Sequence, residues 1–315
     1  MTIAVLTFNM EGHAVHPFEL EVWDPKFELI VLCLQEVRQS KVPQEKQMDG
    51  ITWELISDKY VRGLGKETLR SSSFTQKPWI GQALIIYKQK PIDVIVGQTV
   101  VSKFTLGKAS IGTSAKIDNV DILFICSHFP FKQKEEDQGQ AKRLAMAQKT
   151  YRVMQATFPT IENVIWAGDL NFRILFSQDT TDLLERWLES PEDAMGPVLK
   201  FLFEKDQLTE AKQDNSLQSF QEGVNNEGPL FGPTCKLKRN RSEACHTLTS
   251  VNNKDCFKLQ GSAGWLKKTK TPRWPSWCDR ILYKGVKCLA YERIDQRLPV
   301  KSQSDHASVL GVFTV

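Results

Sequence analysis

Polar residues able to carry chemistry stand where the apolar runs of this sequence end. The stretch 164–173 (VIWAGDLNFR) passes from a buried-strand pattern into Asp169, Asn171 and Arg173, with Leu170 and Phe172 between them. Taken alone, it reads as a strand-to-turn junction, since Gly-Asp and Asn form turns readily. The pattern recurs. The first apolar run ends at Asn9, the second at Gln35-Glu36, and the run 120–126 at Ser127-His128. Trp277-Cys278-Asp279-Arg280 and Ser304-Asp305-His306 precede two further strand patterns. Each piece alone has a bland reading as a turn former, a solvated acid or a structural histidine. Six of them at junctions far apart in the chain point to one shared site.

The chemistry open to that set is specific. Asn9 and Glu36 offer hard oxygen ligands of the kind Mg²⁺ takes, with waters and a substrate phosphate completing its shell. No Cys/His cluster competes for a softer metal. Asp169 could accept a proton from an attacking water while Asn171 donates to a phosphate oxygen. His128 and His306 could stabilise charge on that phosphate, His306 fixed in its tautomer by a carboxylate such as Asp279. Metal, base and donors around one phosphorus make phosphate-ester hydrolysis the natural reaction class. Leu170 and Phe172 alternate with the polar pair and should face the other side of the strand.

These residues need strands to hold them. Strand patterns cover 3–9, 29–35, 83–88, 92–101, 120–128, 163–168, 280–283, 288–293 and 307–314, several of them apolar throughout and so covered on both faces. A helical repeat runs over 138–158 (Ala141, Leu144, Ala145, Tyr151, Met154, Phe158), with shorter helical patterns at 179–190 and 195–205. The polar, basic stretch 212–272 reads as long ordered loops with short strands. This mixture predicts α/β layers around packed sheets, in one domain over 1–315.

The chain has 315 residues, 41 Lys+Arg against 37 Asp+Glu and a formal charge of +4, a mild bias toward anionic partners and far from that of a nucleic-acid-coating protein. Seven cysteines, an odd count with no C-x-x-C pair, argue against a disulfide framework and for a reducing compartment. No signal peptide pattern and no apolar run of transmembrane length is present, so an intracellular setting is expected.

The motifs resemble the endonuclease/exonuclease/phosphatase superfamily, and within it the inositol polyphosphate 5-phosphatases. GDLNFR (168–173), FGPTCK (231–236) and PSWCDRIL (275–282) are similar to that family's GDLNYR, FxPTYK and PAWCDRIL, and the matches run from position 9 to 306. The resemblance implies a four-layer αββα sandwich of two packed mixed sheets flanked by helices, the deoxyribonuclease I-like fold. It implies Mg²⁺-dependent removal of the 5-phosphate from phosphoinositides or soluble inositol polyphosphates. Glu36 and Asn9 would hold the metal, and Asp169 would orient or deprotonate the water. Asn171, His128 and His306 would bind the scissile phosphate, Asp279 would pair with His306, and Asp305 would lie close to the metal and water. Lys236 and Arg280, with Lys270 or Arg273, would contact substrate phosphates, and Ser127 and Arg173 are counted among the substrate-binding residues. Arg173 is open to two readings, a substrate contact or a structural ion pair.

The departures bear on substrate preference. Cys235 stands where the family usually has Tyr, Phe172 replaces a Tyr and Ser276 an Ala. The segment after His128 lacks the family's Arg-Asn-x-Asp step. Trp265-Leu266-Lys267-Lys268 and Pro272-Arg273-Trp274 interleave aromatic and basic residues, as a peripheral contact with an anionic membrane would; packing under the loop is the other reading. The expected partners are therefore an inositide substrate and an anionic membrane surface, with no nucleic acid, for a monomer that is cytoplasmic with peripheral membrane association. Two alternatives share the site: a nuclease or sphingomyelinase-like phosphodiesterase, and an inositide-binding protein without catalysis.

Overall fold

The computed structural model describes residues 1–13, 16–38, 42–62, 80–105, 108–131, 139–175, 195–238, 275–298 and 303–315. Two sheets form its centre. The first has seven strands in the order β12 (Lys287–Ile294), β13 (Ser308–Thr314), β1 (Thr2–Asn9), β2 (Leu29–Arg38), β5 (Ile80–Gln89), β4 (Ile51–Arg62), β3 (Glu45–Met48). The second has six in the order β10 (Gln221–Glu222), β11 (Asp279–Lys284), β9 (Asn163–Asp169), β8 (Val120–His128), β7 (Lys108–Ile117), β6 (Val94–Thr105). In chain order the strands that matter for the site are β1 (Thr2–Asn9), β2 (Leu29–Arg38), β7 (Lys108–Ile117), β8 (Val120–His128), β9 (Asn163–Asp169), β11 (Asp279–Lys284) and β13 (Ser308–Thr314).

Alternation along these strands explains the layering. Ile3, Val5, Leu29 and Val31 of the first sheet meet Ile122, Phe124, Ile165, Ala167 and Ile281 of the second in one dry core. Fully burying such a side chain stabilises by about 1.5–3 kcal/mol, so the two sheets hold each other rigidly. The alternate residues Leu123, Ile125 and Trp166 face outward and are covered by Met146, Ala147 and Met154 of helix α1 (Gln140–Thr157). On the other side, Leu6, Ile30, Leu32 and Tyr87 are covered by Leu20, Val22 and Phe27, with Trp23 edge-on to Trp53 at 5.6 Å. Among the described residues that outer layer is a 3₁₀ turn (Pro17–Glu19) and loops, where the expected sandwich has helices. The helical pattern at 179–190 lies outside the described residues, and 195–205 forms the helix Met195–Glu204.

Four strands were illegible from periodicity: β3 (Glu45–Met48), β4 (Ile51–Arg62), β7 and the two-residue β10 (Gln221–Glu222). β7 reads KASIGTSAKI, and its small residues fit between neighbours without producing an apolar pattern. Each sheet contains one parallel pair, β1 with β2 and β8 with β9. Parallel strands end together, so their carboxyl ends form a natural crevice for ligands.

Candidate active site

Three neighbouring strands of the second sheet place His128, Asp169 and Asp279 in one row. His128 pairs with Asp169 across the parallel β8–β9 ladder, and Asp279 pairs with Asp169 across β9–β11. Residues in register share a face, so the three side chains point the same way. The approach of β8 to β9 explains Gly168. A Cβ there would lie 2.0 Å from the Ser127 carbonyl oxygen, at a φ of +155°. Its successor but two, Asn171, takes a left-handed φ of +54°, which asparagine tolerates better than most residues.

The first sheet faces this row. Asn9 pairs with Gln35 at the end of β1–β2, and its amide Nδ2 donates to Asp169 Oδ2 at 2.9 Å. Glu36 sits on a β-bulge, where the register against β5 shifts and φ is +49°. A bulge re-aims a side chain that simple alternation would send elsewhere. It leaves Glu36 Oε1 3.6 Å from His128 Nε2 and 3.6 Å from Lys108 Nζ. Ser304 Oγ donates to the Asn9 carbonyl at 2.6 Å and accepts from His306 N–H at 3.1 Å. His306 Nδ1 lies 2.8 Å from Asp279 Oδ2, which also accepts from Thr234 Oγ1 at 2.8 Å.

Charge is distributed unevenly over these groups. Burial opposes ionisation of Asp169. The hydrogen bond from His128 and the charges of His306 and Lys108 outweigh it and hold the carboxyl far below the usual carboxylate range. Burial and the Lys108 ammonium push His128 down, so it is neutral at neutral pH. Burial would also depress His306, but the charges of Asp279 and Cys235 prevail and raise it to about 9. Burial raises Asp279 to about 6, against the pull of His306. The result is an imidazolium–carboxylate pair beside a firmly ionised Asp169 and a neutral imidazole.

Nine expected residues come together here: Asn9, Glu36, His128, Asp169, Asn171, Lys236, Asp279, Asp305 and His306. Lys236 Nζ is held by the Asp305 carboxylate, whose Oδ1 is 3.6 Å from His306 Nε2. Three expectations are corrected. Arg280 follows Asp279 on its strand and therefore faces the opposite side. It is fully buried, bonded to both carboxylate oxygens of Glu222 at 2.6 Å and to Asp206 at 2.7 Å. Ser127 likewise faces away from His128, accepting from Trp166 Nε1 at 2.7 Å beside Ser110. Arg173, open to a substrate contact or a structural ion pair, pairs with no carboxylate among the described residues. Its Nη2 donates to Asn171 Oδ1 at 2.7 Å, its Nη1 to Cys235 Sγ at 3.1 Å, and the guanidinium lies over Phe131. Lys270, Arg273, Trp265 and Trp274 lie outside the described residues.

Sequence reasoning missed Lys108, which leans on the His128 ring. It opens β7, the strand without an apolar pattern, so no signal marked it. Glu11 was missed too; its carboxylate accepts from Asp305 N–H at 3.0 Å.

Among the described residues, two sets of side chains bear on metal binding. Asp169, Asp279 and His306 carry ligand atoms within 4.8 Å of one another. His306 Nδ1 and Asp279 Oδ2 already bond each other, however, so this trio reads as an ion pair beside a base. Glu36, with Asp169 and the Asn9 side-chain oxygen (which accepts from Glu11 N–H) nearby, offers oxygen donors of the kind a hard divalent cation takes.

The chain belongs to Endonuclease/Exonuclease/phosphatase family 2, whose model matches residues 6–312. Among curated relatives, type I inositol polyphosphate 5-phosphatase 5 of Arabidopsis thaliana is 27% identical over 87% of this chain and 46% of its own length. Type IV inositol polyphosphate 5-phosphatase 7 of the same plant is 28% identical over 66% of this chain and 31% of its own. The chain thus spans less than half the length of these relatives. Among solved structures, the inositol polyphosphate 5-phosphatase domain of SPsynaptojanin, in complex with inositol (1,4)-bisphosphate and calcium, superposes with a TM-score of 0.65. It is 19% identical, covering 99% of this chain and 83% of that one. A Cimex nitrophorin ferrous NO complex superposes at 0.57, with 17% identity over 99% and 97%. The expected fold is therefore present, and the nitrophorin shows that the fold alone does not name the chemistry.

Proposed function

We propose that this chain is a Mg²⁺-dependent phosphomonoesterase that removes the 5-phosphate from inositides. The observation carrying this reading is the convergence of Asp169, His128, Asn171 and the His306–Asp279 pair at the joined carboxyl ends of two parallel strand pairs. The names of the curated relatives and the inositol (1,4)-bisphosphate held by the SPsynaptojanin domain support the inositide as substrate class.

Asp169 is ionised and held by Asn9 and by the Asn171 backbone N–H at 3.1 Å, so it can orient a water and take its proton. The imidazolium of His306 offers positive charge where charge builds on the phosphate. Asn171 is braced by Arg173 and donates to the Phe129 carbonyl at 2.8 Å, which leaves its second amide N–H for a phosphate oxygen. Lys236 and Lys108 supply cations on either side of the row. Glu36 and Asn9 would hold Mg²⁺, which when bound supplies Lewis-acid stabilisation of a phosphate oxygen. The lipid substrates in this class would bring the chain to an anionic membrane surface from the cytoplasm.

The test is release of inorganic phosphate from phosphatidylinositol 4,5-bisphosphate and from soluble inositol polyphosphates in the presence of Mg²⁺. Release confined to 5-phosphorylated compounds is the expected result. Cleavage of an oligonucleotide with no phosphate released from any inositide would reassign the site to a phosphodiester.

A further inference from the structure

Cys235 and Cys278 lie behind the site with their sulfurs 3.0 Å apart, both fully buried. Nothing in the proposed chemistry uses them. Cys235 precedes the phosphate-side Lys236, and Cys278 precedes Asp279, so each sulfur hangs from a segment carrying a site residue. The Cys235 sulfur also accepts from Arg173 Nη1 at 3.1 Å, and that guanidinium braces Asn171. The pair therefore ties three segments of the site together: 171–173, 234–236 and 276–279.

We propose that Cys235 and Cys278 form a peroxide-sensitive dithiol, a modification site whose disulfide slows the activity assigned above. The Arg173 guanidinium 3.1 Å from the Cys235 sulfur favours the thiolate, the nucleophilic form of cysteine, and a resolving thiol at 3.0 Å directs its oxidation to a disulfide. In the first step the Cys235 thiolate attacks hydrogen peroxide. An S–O bond forms, the O–O bond breaks, and the departing hydroxide takes the proton that the thiol released. In the second step the Cys278 sulfur attacks the sulfur of the Cys235 sulfenic acid. The S–S bond forms, the S–O bond breaks, and hydroxide leaves as water with the Cys278 proton. Two thiols lose two electrons, and peroxide ends as two waters.

Closing the gap from 3.0 Å to a bond of about 2.05 Å displaces the sulfurs and disturbs the 3.1 Å bond from Arg173 Nη1 to Cys235. Arg173 then loses one anchor, and Asn171 and Lys236 shift with it. A misplacement of about 1 Å in a positioning group costs about 10²-fold in rate. Cys33 beside Cys126, equally buried in the inter-sheet core, serves as an internal control: its neighbour adds to burial in pushing that thiol up, whereas Cys278 and the Arg173 guanidinium pull Cys235 down against burial.

The experiment treats the full chain with graded hydrogen peroxide, alkylates the denatured protein and maps peptides by mass spectrometry. The expected result is a cross-linked Cys235–Cys278 peptide pair that dithiothreitol reverses, with Cys33 and Cys126 still alkylated. Full alkylation of Cys235 and Cys278, or a Cys235 sulfinic acid without cross-link, would overturn the site. The regulatory part rests on the 5-phosphatase reading. Phosphate release should fall about 10²-fold as the cross-link accumulates, while Cys235→Ser keeps its own untreated rate at the same peroxide dose. A full cross-link with unchanged turnover would overturn the regulation. If the reduced protein releases no phosphate from any inositide, the functional reading fails, and the peptide map still decides the dithiol.

Discussion

Asp169 is the residue on which the proposed chemistry turns, because its surroundings leave it ionised at any working pH. Asp169→Asn keeps the shape and removes the base, so phosphate release should fall by about 10²–10⁴-fold with substrate binding largely retained. Wild-type turnover in that variant would remove Asp169 from the mechanism. The His306–Asp279 pair predicts a pH dependence. His306 is raised from its ordinary 6.5 to about 9, so the stability it contributes is complete below pH 6.5 and is lost as pH rises through about 9. Asp279 is raised from 3.8 to about 6, so the native protein holds that proton more tightly than the unfolded chain, and stability falls as pH rises from about 4 to 6. The charged pair therefore exists between about pH 6 and 9. The kcat/KM profile should show an alkaline limb near 9, and Asp279→Asn should move that limb to lower pH. A limb that stays in place in the variant would assign it to another group.

At the scale of the elements, the row of His128, Asp169 and Asp279 depends on how closely β8 and β9 approach. Gly168→Ala forces a side chain against the Ser127 carbonyl at 2.0 Å. The backbone strain alone costs about 1–3 kcal/mol, so thermal unfolding should move down and turnover should fall with it. An unchanged melting temperature would show that the ladder gives way without cost. Arg280 tests whether its charge belongs to the buried ion cluster or to the substrate. Removing it strands Glu222 and Asp206 in the interior, at a cost of about 3–5 kcal/mol. Arg280→Ala should therefore appear as lost stability in denaturant titration. A folded, equally stable variant with a raised KM would restore Arg280 to the substrate.

For the whole molecule, the metal is expected to matter to chemistry more than to folding, since the Glu36 carboxylate is part-exposed and lies outside the apolar core between the sheets. Chelation should abolish phosphate release, Mg²⁺ should restore it, and the circular dichroism spectrum should not change. A spectrum that collapses on chelation would place the metal in a structural role.

Asn9, Glu36, His128, Asp169, Asn171, Asp279 and His306 were legible in the sequence, because polar residues that end apolar strands have few reasons to recur in this way. Strands that are apolar throughout also disclosed two covered sheets. What the chain alone could not reveal is direction and depth. Asp279 and Arg280 are adjacent in sequence, yet one joins the site and the other a buried ion cluster, because alternation sends them to opposite faces and only the register says which face is which. Lys108 opens a strand of small residues that only its neighbours define, so its place against His128 arises from pairing between β7 and β8. Arg173 illustrates the same limit. Its charge suggested a substrate contact or an ion pair, and the folded chain instead buries it against Asn171 and Cys235. Residue type and spacing determined the chemistry on offer. Strand register, one bulge at Glu36 and the meeting of two sheets decided which groups share it, since those depend on contacts between segments far apart in the chain.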